Sequence, residues 1–401
     1  MKILVMKFGG TSVADIKKLK NVAIKVKRNS KKYKVVVVLS AMAGETNKLQ
    51  KYLDIVSEKS SYSSDLVITS GEHVSVGLLS IILNKLKVKS ICLLGWQIPI
   101  ITDNSYGKAR ILKINNKIIK NYFKKNEVII VPGFQGISKE GKISSLGRGG
   151  SDTTAVALAC SLKATRCDIY TDVDGVYSTD PNIDKKAKKI KKISYEEMLE
   201  MASLGAKVLQ TRSVELAMKN NLVLQVLSSL NNSPGTFIVN EKNLIEKEMV
   251  TGISYTKNEA KITISGIPDK PGVSSLIFGI LSDSNINVDM IVQNISQDGL
   301  RANVTFTVQE REMNLAKKIL EKNRDLIDFH YISTNADVSK VSVIGVGMKS
   351  QSGVAKKMFK ALADLKINIL AISTSEIKIS VLINRKMTNK AVKKLHKAYV
   401  L

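Results

Sequence analysis

A repeated pattern in the first half of this 401-residue chain constrains its fold more than any other feature. Short apolar runs alternate with segments of helical apolar spacing, and polar or glycine-rich loops follow the runs, which lie at residues 3–6, 35–39, 91–94, 128–131, 167–171 and 222–227. Strands that are apolar on both faces and alternate with helices predict a mainly parallel sheet covered on both sides. Because ligands bind at the carboxyl ends of such strands, we expect a site where these loops meet.

Two of the loops combine glycines with a cation. Residues 147–155 read GRGGSDTTA and lead into an apolar helical segment, while Lys7 stands before Gly9 and Gly10. Glycines allow close approach of a ligand, and the free N–H groups at a helix start attract anions. A glycine-rich turn alone is as often a simple tight loop. Two such loops with fixed cations nevertheless suit phosphoryl transfer, although the GxxxxGK[ST] and GxGxxG patterns are both absent.

A third polar loop, residues 172–181, has the sequence DVDGVYSTDP. Its Asp-Gly and Asp-Pro pairs are typical of turns, and its acidic spacing leaves a calcium loop as a weaker alternative that does not follow the EF-hand pattern.

The charge of +27 raises the question of nucleic-acid binding. The lysines are spread along the chain, and the basic run at residues 185–192 predicts a solvated face or loop. No zinc-finger spacing or RNA-binding motif accompanies them, so we expect no nucleic-acid partner. The chain opens directly on a strand and has no uninterrupted apolar run of membrane-spanning length, which predicts a cytoplasmic protein without a membrane partner. The three cysteines predict reduced core residues, and the three scattered histidines predict no side-chain metal site.

The second half contains an internal repeat with an offset of 81 residues. Each copy predicts a strand, a loop with glycine, an amphipathic helix, an Ile-Asn turn and a further strand. The paired positions are Gly272/Gly353, Val273/Val354, Phe278/Phe359, Leu281/Leu362, Asp283/Asp364, Ile286/Ile367, Asn287/Asn368, Val288/Ile369 and Ile291/Ile372. Two copies of a small α/β unit suggest a sensor, and a dimerisation module without a ligand remains the alternative.

The ordered motifs resemble those of the aspartate kinases across essentially the whole chain. They are KFGGTS at 7–12, SAMAGETN at 40–47, TSGE at 69–72, GFQG at 133–136, GRGGSD at 147–152, DVDGVYSTDP at 172–181 and GAKVL at 205–209. The resemblance implies the three-layer α/β amino-acid-kinase fold and phosphorylation of the β-carboxylate of L-aspartate with MgATP, Mg²⁺ being the cofactor. It also implies the first step of lysine, threonine and methionine biosynthesis.

The resemblance carries roles onto individual positions. Lys7 and Asp152 would be catalytic, with Asp152 organising the lysines, although an acid that satisfies the dipole of a helix N-terminus is the alternative. ATP would contact Lys7, Phe8, Gly9, Gly10, Thr171, Asp172, Tyr177, Asp180, Pro181 and Lys207, while L-aspartate would contact Ser40, Thr46, Glu72, Arg148, Gly149, Gly150 and Ser151. Arg148 suits a carboxylate and Glu72 the substrate ammonium. The family commonly has His-Pro after GAKVL, where this chain has Gln210-Thr211, so an imidazole-based role is in doubt.

The repeated units resemble α+β, ferredoxin-like ACT domains, which bind amino acids. The resemblance implies feedback regulation by lysine, threonine or both, and a homodimer or higher homo-oligomer formed through these domains. The effector would contact Asp269, Gly272, Val273, Asn287, Val288, Asp289, Gln293 and Asn294, with Asp269 and Asp289 available to its ammonium.

We therefore expect a catalytic domain at residues 1–230, a linker at 231–250, a first ACT unit at 251–335 and a second at 336–401. Assignment of residues 251–261 to the second ACT unit is the alternative. A relative of the amino-acid-kinase fold that acts on glutamate or a similar acid is the alternative enzyme. A basic ACT-containing regulator that binds nucleic acid is the alternative outside enzymes.

Overall fold

The computed structural model describes residues 2–56, 60–203, 208–244, 249–295, 299–350 and 353–399. The described residues of 1–176, 189–202 and 207–245 form one compact unit, and those of 177–188, 203–206 and 246–401 form a second. The structure therefore assigns residues 177–188, from the predicted catalytic domain, to the second unit.

The first unit contains twelve strands, β1 Ile3–Phe8, β2 Lys34–Leu39, β3 Ser90–Cys92, β4 Ile100–Thr102, β5 Ile111–Ile114, β6 Val128–Pro132, β7 Gln135–Ser138, β8 Ile143–Ser145, β9 Arg166–Thr171, β10 Lys192–Ser194, β11 Leu224–Ser228 and β12 Thr236–Val239 among the described residues. Its helices are α1 Ile16–Ser30, α2 Glu45–Val56, α3 Tyr62–Ile68, α4 Gly71–Lys85, α5 Asn116–Tyr122, α6 Gly150–Leu162, α7 Tyr195–Ser203 and α8 Thr211–Lys219. All six predicted apolar runs form strands, with ends that differ by a few residues.

Eight strands form the central sheet, in the order β10-β12-β11-β9-β1-β2-β6-β3. All its pairs are parallel except β11 with β12. Alternate residues of β1 serve opposite faces: Met6 and Phe8 join the core formed with α1 and α4, whereas Lys7 faces α6. The mainly parallel, three-layer α/β fold is thus confirmed. A smaller sheet has the order β5-β4-β7-β8.

Strand β12 differs from the expected linker at residues 231–250. The run Thr236–Val239 returns antiparallel along β11 after a turn, and Ile238 is fully buried. This apolar run therefore extends the sheet of the first unit, because burial of Ile238 favours pairing over a solvated connection.

The helical run Tyr62–Lys85, which contains α3 and α4, is long and apolar enough to cross a membrane by length and composition. Half of its most apolar window is buried inside the protein.

The second unit has one six-stranded sheet, in the order β14-β15-β13-β16-β18-β17. Its strands are β13 Gly252–Pro268, β14 Asp289–Ile295, β15 Arg301–Val308, β16 Tyr331–Ile344, β17 Ile369–Thr374 and β18 Lys378–Asn384, and its helices are α9 Val273–Asp283, α10 Met313–Lys322, α11 Arg324–Ile327, α12 Val354–Ala363 and α13 Thr388–Tyr399. The long strands β13 and β16 pass through both copies of the repeat. The expected boundary between residues 335 and 336 therefore lies within β16, because the copies share a continuous antiparallel ladder.

The repeat is visible in the backbone. Gly272 and Gly353 precede α9 and α12 with φ of 97° and 96°, a left-handed conformation that favours glycine. Val250, just before β13, and Ile253, at the start of β13, pack in the core of the second copy. This packing supports assigning the start of residues 251–261 to the second ACT unit.

Candidate active site

A cavity of about 710 Å³ lies in the first unit, at the ends of the central strands beside the start of α6. Both predicted catalytic residues and every predicted substrate-binding residue line it, namely Lys7, Ser40, Thr46, Glu72, Arg148, Gly149, Gly150, Ser151 and Asp152. Residues more than a hundred positions apart are thus brought to one site by the parallel sheet.

Lys7 and Asp152 form an ion pair in this cavity. Lys7 Nζ lies 2.7 Å from Asp152 Oδ1, and the two side chains are only 12% and 11% exposed. Asp152 is in the first turn of α6, where a negative charge is also favoured by the helix dipole. The pair holds the ammonium of Lys7 at the cavity wall. Both interpretations of Asp152, as organiser of a lysine and as acid at a helix start, fit this geometry.

Glu72 lies near the start of α4 and is 2% exposed. Its Oε1 accepts a hydrogen bond of 3.1 Å from the backbone N–H of Ala41, whereas its Oε2 is buried without a hydrogen-bond partner among the described residues. Burial raises the pKa of Glu72 to about 7, and the Ala41 hydrogen bond opposes that rise. A buried carboxylate oxygen without a partner costs free energy, so the site favours a cationic ligand.

The glycine loop is held in place by Gln210. Its side-chain Nε2 donates to the backbone carbonyl of Arg148 at 3.1 Å. Gly149 has φ of 76°, and a Cβ there would lie 3.0 Å from Gln210 Cδ, so the loop needs glycine at this position. Gln210 therefore supports the loop by an amide hydrogen bond in the place where the related motif has histidine.

Ser40 and Ser151 meet across the cavity floor. Ser40 Oγ donates to Ser151 Oγ at 3.0 Å, which joins the loop after β2 to the first turn of α6. Arg148 is exposed, and no described residue accepts a hydrogen bond from its guanidinium. Its donors are therefore free for a carboxylate.

Among the described residues predicted to contact ATP, only Lys7 lines the cavity. Phe8 is fully buried and stacks on Tyr170 with ring centroids 4.5 Å apart, so its side chain belongs to the core. The Gly9 N–H donates to the Tyr170 carbonyl at 3.4 Å, and Thr171 Oγ1 donates to Asp172 Oδ1 at 3.0 Å. Gly10, Thr171 and Asp172 do not line the cavity that contains Lys7.

Three other predicted ATP contacts belong to the second unit. Asp180 Oδ2 accepts a hydrogen bond of 2.9 Å from the hydroxyl of Tyr255, and Tyr177 and Pro181 lie in the same segment. Lys207 lies outside the described residues. The ATP contacts at these positions stay predictions.

Sequence reasoning missed Asp65, which lines the cavity and is 2% exposed. Its carboxylate accepts hydrogen bonds from the backbone N–H groups of Gly107 at 3.0 Å and Ser145 at 2.6 Å. Burial raises its pKa, and the two backbone hydrogen bonds oppose that rise. Asp65 fixes the loop before Gly147, and its partners are too distant in sequence to give a local signal.

The predicted effector residues lie in the first copy of the repeat. Gln293 Nε2 donates to Asp269 Oδ1 at 3.3 Å, and Ser274 Oγ donates to Gln293 Oε1 at 3.2 Å. Gly272 and Val273 begin α9 beside Ser274, while Asn287, Val288 and Asn294 lie at or near β14. Asp289 makes different contacts: its Oδ2 pairs with Lys340 Nζ.

Across the part of the chain that the structure describes, no three His, Cys, Asp or Glu side chains are grouped so as to hold a metal ion.

The sequence matches known protein families and a curated relative over most of its length. Residues 2–228 match the model of the amino acid kinase family, and residues 262–323 and 341–399 match that of an ACT domain. The aspartate kinase of Pseudomonas fluorescens (strain SBW25) is 47% identical, with 100% of this chain and 98% of that protein covered.

Two solved structures are similar to this chain over its full length. The crystal structure of E. coli aspartokinase III in complex with aspartate and ADP (R-state) is 25% identical, has a TM-score of 0.83 and is matched over 100% of both chains. The same enzyme in complex with lysine and aspartate (T-state) is 26% identical, has a TM-score of 0.78 and is also matched over 100% of both chains.

Proposed function

The chain belongs to the aspartate kinases of the amino acid kinase family, and we propose that it transfers the γ-phosphoryl group of ATP to the β-carboxylate of L-aspartate. The products are 4-phospho-L-aspartate and ADP. This reaction opens lysine, threonine and methionine biosynthesis.

The observation that carries the proposal is the pairing of unsatisfied charges in one cavity. Among the described residues, Glu72 has a buried carboxylate oxygen without a partner, and none accepts a hydrogen bond from the guanidinium of Arg148 at the same cavity. An amino acid with a second carboxylate can meet these needs, since its ammonium pairs with Glu72 and its α-carboxylate with Arg148. Its β-carboxylate then remains for reaction.

The transfer needs no general base, because a carboxylate with a reference pKa of about 3.9 is ionised at neutral pH. The obstacle is repulsion between this anion and the phosphates. Lys7, held by Asp152 at 2.7 Å, offsets that repulsion and stabilises charge that develops in the transition state. Bound with ATP, Mg²⁺ neutralises part of the triphosphate charge. The helix dipole at the start of α6 adds to this field.

For the nucleotide, we assign contacts to Lys7, Phe8, Gly9, Gly10, Thr171, Asp172, Tyr177, Asp180, Pro181 and Lys207. Phe8 takes part through its backbone, because its side chain is buried against Tyr170. This assignment rests on the motifs.

The second half regulates the kinase in this proposal. An amino acid, lysine or threonine, binds the first copy of the repeat at Asp269, Gly272, Val273, Asn287, Val288, Asp289, Gln293 and Asn294. The lysine complex of E. coli aspartokinase III supports an amino-acid effector. Homo-oligomers form through the ACT domains, and the enzyme works in the cytoplasm.

The test is phosphoryl transfer by the full chain with ATP, Mg²⁺ and either L-aspartate or L-glutamate, read as ADP release and as trapping of the acyl phosphate by hydroxylamine. We expect ADP and hydroxamate to appear with L-aspartate. Faster turnover of L-glutamate would overturn the substrate assignment, and absence of ADP with both would overturn the kinase assignment.

A further inference from the structure

Lys340 is a buried lysine in the middle of the shared strand β16. The alternation along β16 sends Val341 and Val343 into the core beneath the helices of the second copy, so Lys340 faces the opposite side. The residue is only 4% exposed. A buried ammonium is rare and costly unless carboxylates neutralise it.

Two carboxylates neutralise Lys340. Glu259 from β13 lies 3.2 Å away, and Asp289 from β14 forms the second ion pair. Burial lowers the pKa of Lys340, but the two carboxylates outweigh burial and raise it above its usual value. Burial also raises the pKa of Asp289, and the Lys340 ammonium outweighs it and lowers that pKa. Both shifts favour the charged forms of Lys340 and Asp289.

The backbone at Asp289 is shaped for this contact. Met290 has φ of 47°, a left-handed conformation rare for a residue with a side chain, and the β14 register shifts between Asp289 and Val292. The Met290 N–H donates to Asp289 Oδ1 at 2.7 Å, which leaves Oδ2 to Lys340. An irregular strand start thus directs one carboxylate oxygen to the lysine.

We propose that Lys340 is a tethered competitor for the amino-acid effector: its ammonium holds the Asp289 carboxylate until the effector's ammonium replaces it. The proposal rests on the effector assignment above, since Asp289 belongs to that set. Both cations are primary ammonium groups with the same donors, so a carboxylate that suits one suits the other. Effector binding is then an exchange of ion pairs.

The burial of the three side chains permits this exchange. The Asp289 side chain is 56% exposed, so a ligand can reach it from solvent. Lys340 and Glu259 are 5% and 12% exposed and stay paired when Asp289 turns to the ligand. Neither buried charge is left without a counterion, which would otherwise be strongly destabilising.

The proposal predicts that removal of Lys340 strengthens effector binding, whereas damage to the fold would weaken it. Removal of the tethered ammonium frees Asp289 in advance, so the effector binds more tightly. The double variant Lys340→Met with Glu259→Gln removes the buried pair together and leaves only the exposed Asp289 carboxylate. Lys394→Met is a matched control, because Lys394 pairs with Asp364 at 3.0 Å in the second copy, without any predicted effector residue.

The experiment titrates L-lysine and L-threonine against the full chain and follows both kinase inhibition and thermal shift. We expect the double variant to bind the active effector about tenfold more tightly than wild type, a gain of about 1.4 kcal/mol. Lys394→Met should match wild type. Effector affinity that is unchanged or weaker in a folded double variant, judged by its melting temperature, would overturn the proposal.

Kinase turnover measured without effector distinguishes a failure of the competitor proposal from a failure of the kinase assignment. If wild type and variants phosphorylate L-aspartate but neither amino acid binds or inhibits any of them, the competitor proposal fails while the kinase assignment stands. If the effector binds tighter to the double variant in thermal shift and no turnover occurs, the kinase assignment fails and the competitor role stands.

Discussion

Each of the two compact units contains a lysine–aspartate ion pair and a glutamate that belongs to the same proposed binding region. The two regions differ in whether the glutamate carboxylate has a cationic partner among the described residues. In the first unit Lys7 pairs with Asp152, and Glu72 keeps a buried oxygen without a described partner. In the second, Lys340 is shared by Glu259 and Asp289, so both carboxylates have a cation. In the proposed function Glu72 receives the substrate ammonium, whereas Asp289 must first release the ammonium of Lys340 to bind the effector.

The comparison has a thermodynamic meaning. A site with an unsatisfied carboxylate gains the full charged contact when the ligand binds. A site whose carboxylate is already paired gains only the difference between two ion pairs, so its affinity is lower and easily tuned. Substrate binding and regulation can use the same chemistry at different strengths.

Replacement of Lys7 tests the pair in the first unit most severely. We expect Lys7→Ala to lower kcat by about 10³-fold, because this cation acts on transition-state charge. Lys34→Ala is the matched control, since Lys34 is a half-buried strand lysine that donates to the Asn126 carbonyl outside the cavity. Steady-state kinetics with melting curves decide it: a kcat within a few-fold of wild type would remove Lys7 from the transition state.

Glu72→Gln removes the charge that the open site offers. We expect KM for L-aspartate to rise by about 10- to 100-fold, the loss of one charged hydrogen bond, while KM for ATP changes little. Glu197→Gln is the control, because Glu197 is equally buried but accepts from Ser194 at 2.9 Å and lies outside the cavity. An equal rise in both KM values would indicate a structural role for Glu72.

Gln210→Ala should have the smallest effect. It removes the hydrogen bond to the Arg148 carbonyl, and we expect a loss of about 1 kcal/mol in unfolding free energy and a KM for L-aspartate a few-fold higher. Gln309→Ala, at a helix start where the side chain makes no capping hydrogen bond, should change neither value. A Gln210 variant identical to wild type would show that the amide does not support the loop.

How much of this was predictable depends on sequence distance. The sheet and its strands followed from local apolar runs, and the positions that line the cavity followed from motifs whose residues are adjacent in sequence. Asp65 and Lys340 gave no local signal, because their partners lie 42 and 51 or more positions away. Strand β12 was missed since a four-residue apolar run after a polar turn is typical of linkers as well.

The repeat shows a related limit. Core positions such as Leu281 and Leu362 recur at the same spacing, whereas Asp269 and Asp289 correspond to Ser350 and Leu370. The fold of the copies is therefore readable from what they share. The difference at the acidic positions supports placing the effector on the first copy. The ion pair between Asp289 and Lys340 could be found only from the three-dimensional structure.

The pH dependence of KM for L-aspartate tests the central claim that Glu72 receives the substrate ammonium. Because burial raises the pKa of Glu72 to about 7, its charged form is lost as pH falls through that value. The measurement is KM for L-aspartate and for ATP from about pH 5.5 to about pH 8.5, in wild type and Glu72→Gln. We expect the wild-type KM for L-aspartate to rise by about tenfold per pH unit below pH 7, with KM for ATP nearly constant and the variant flat. The same rise in the Glu72→Gln variant, or a wild-type KM independent of pH, would contradict the account.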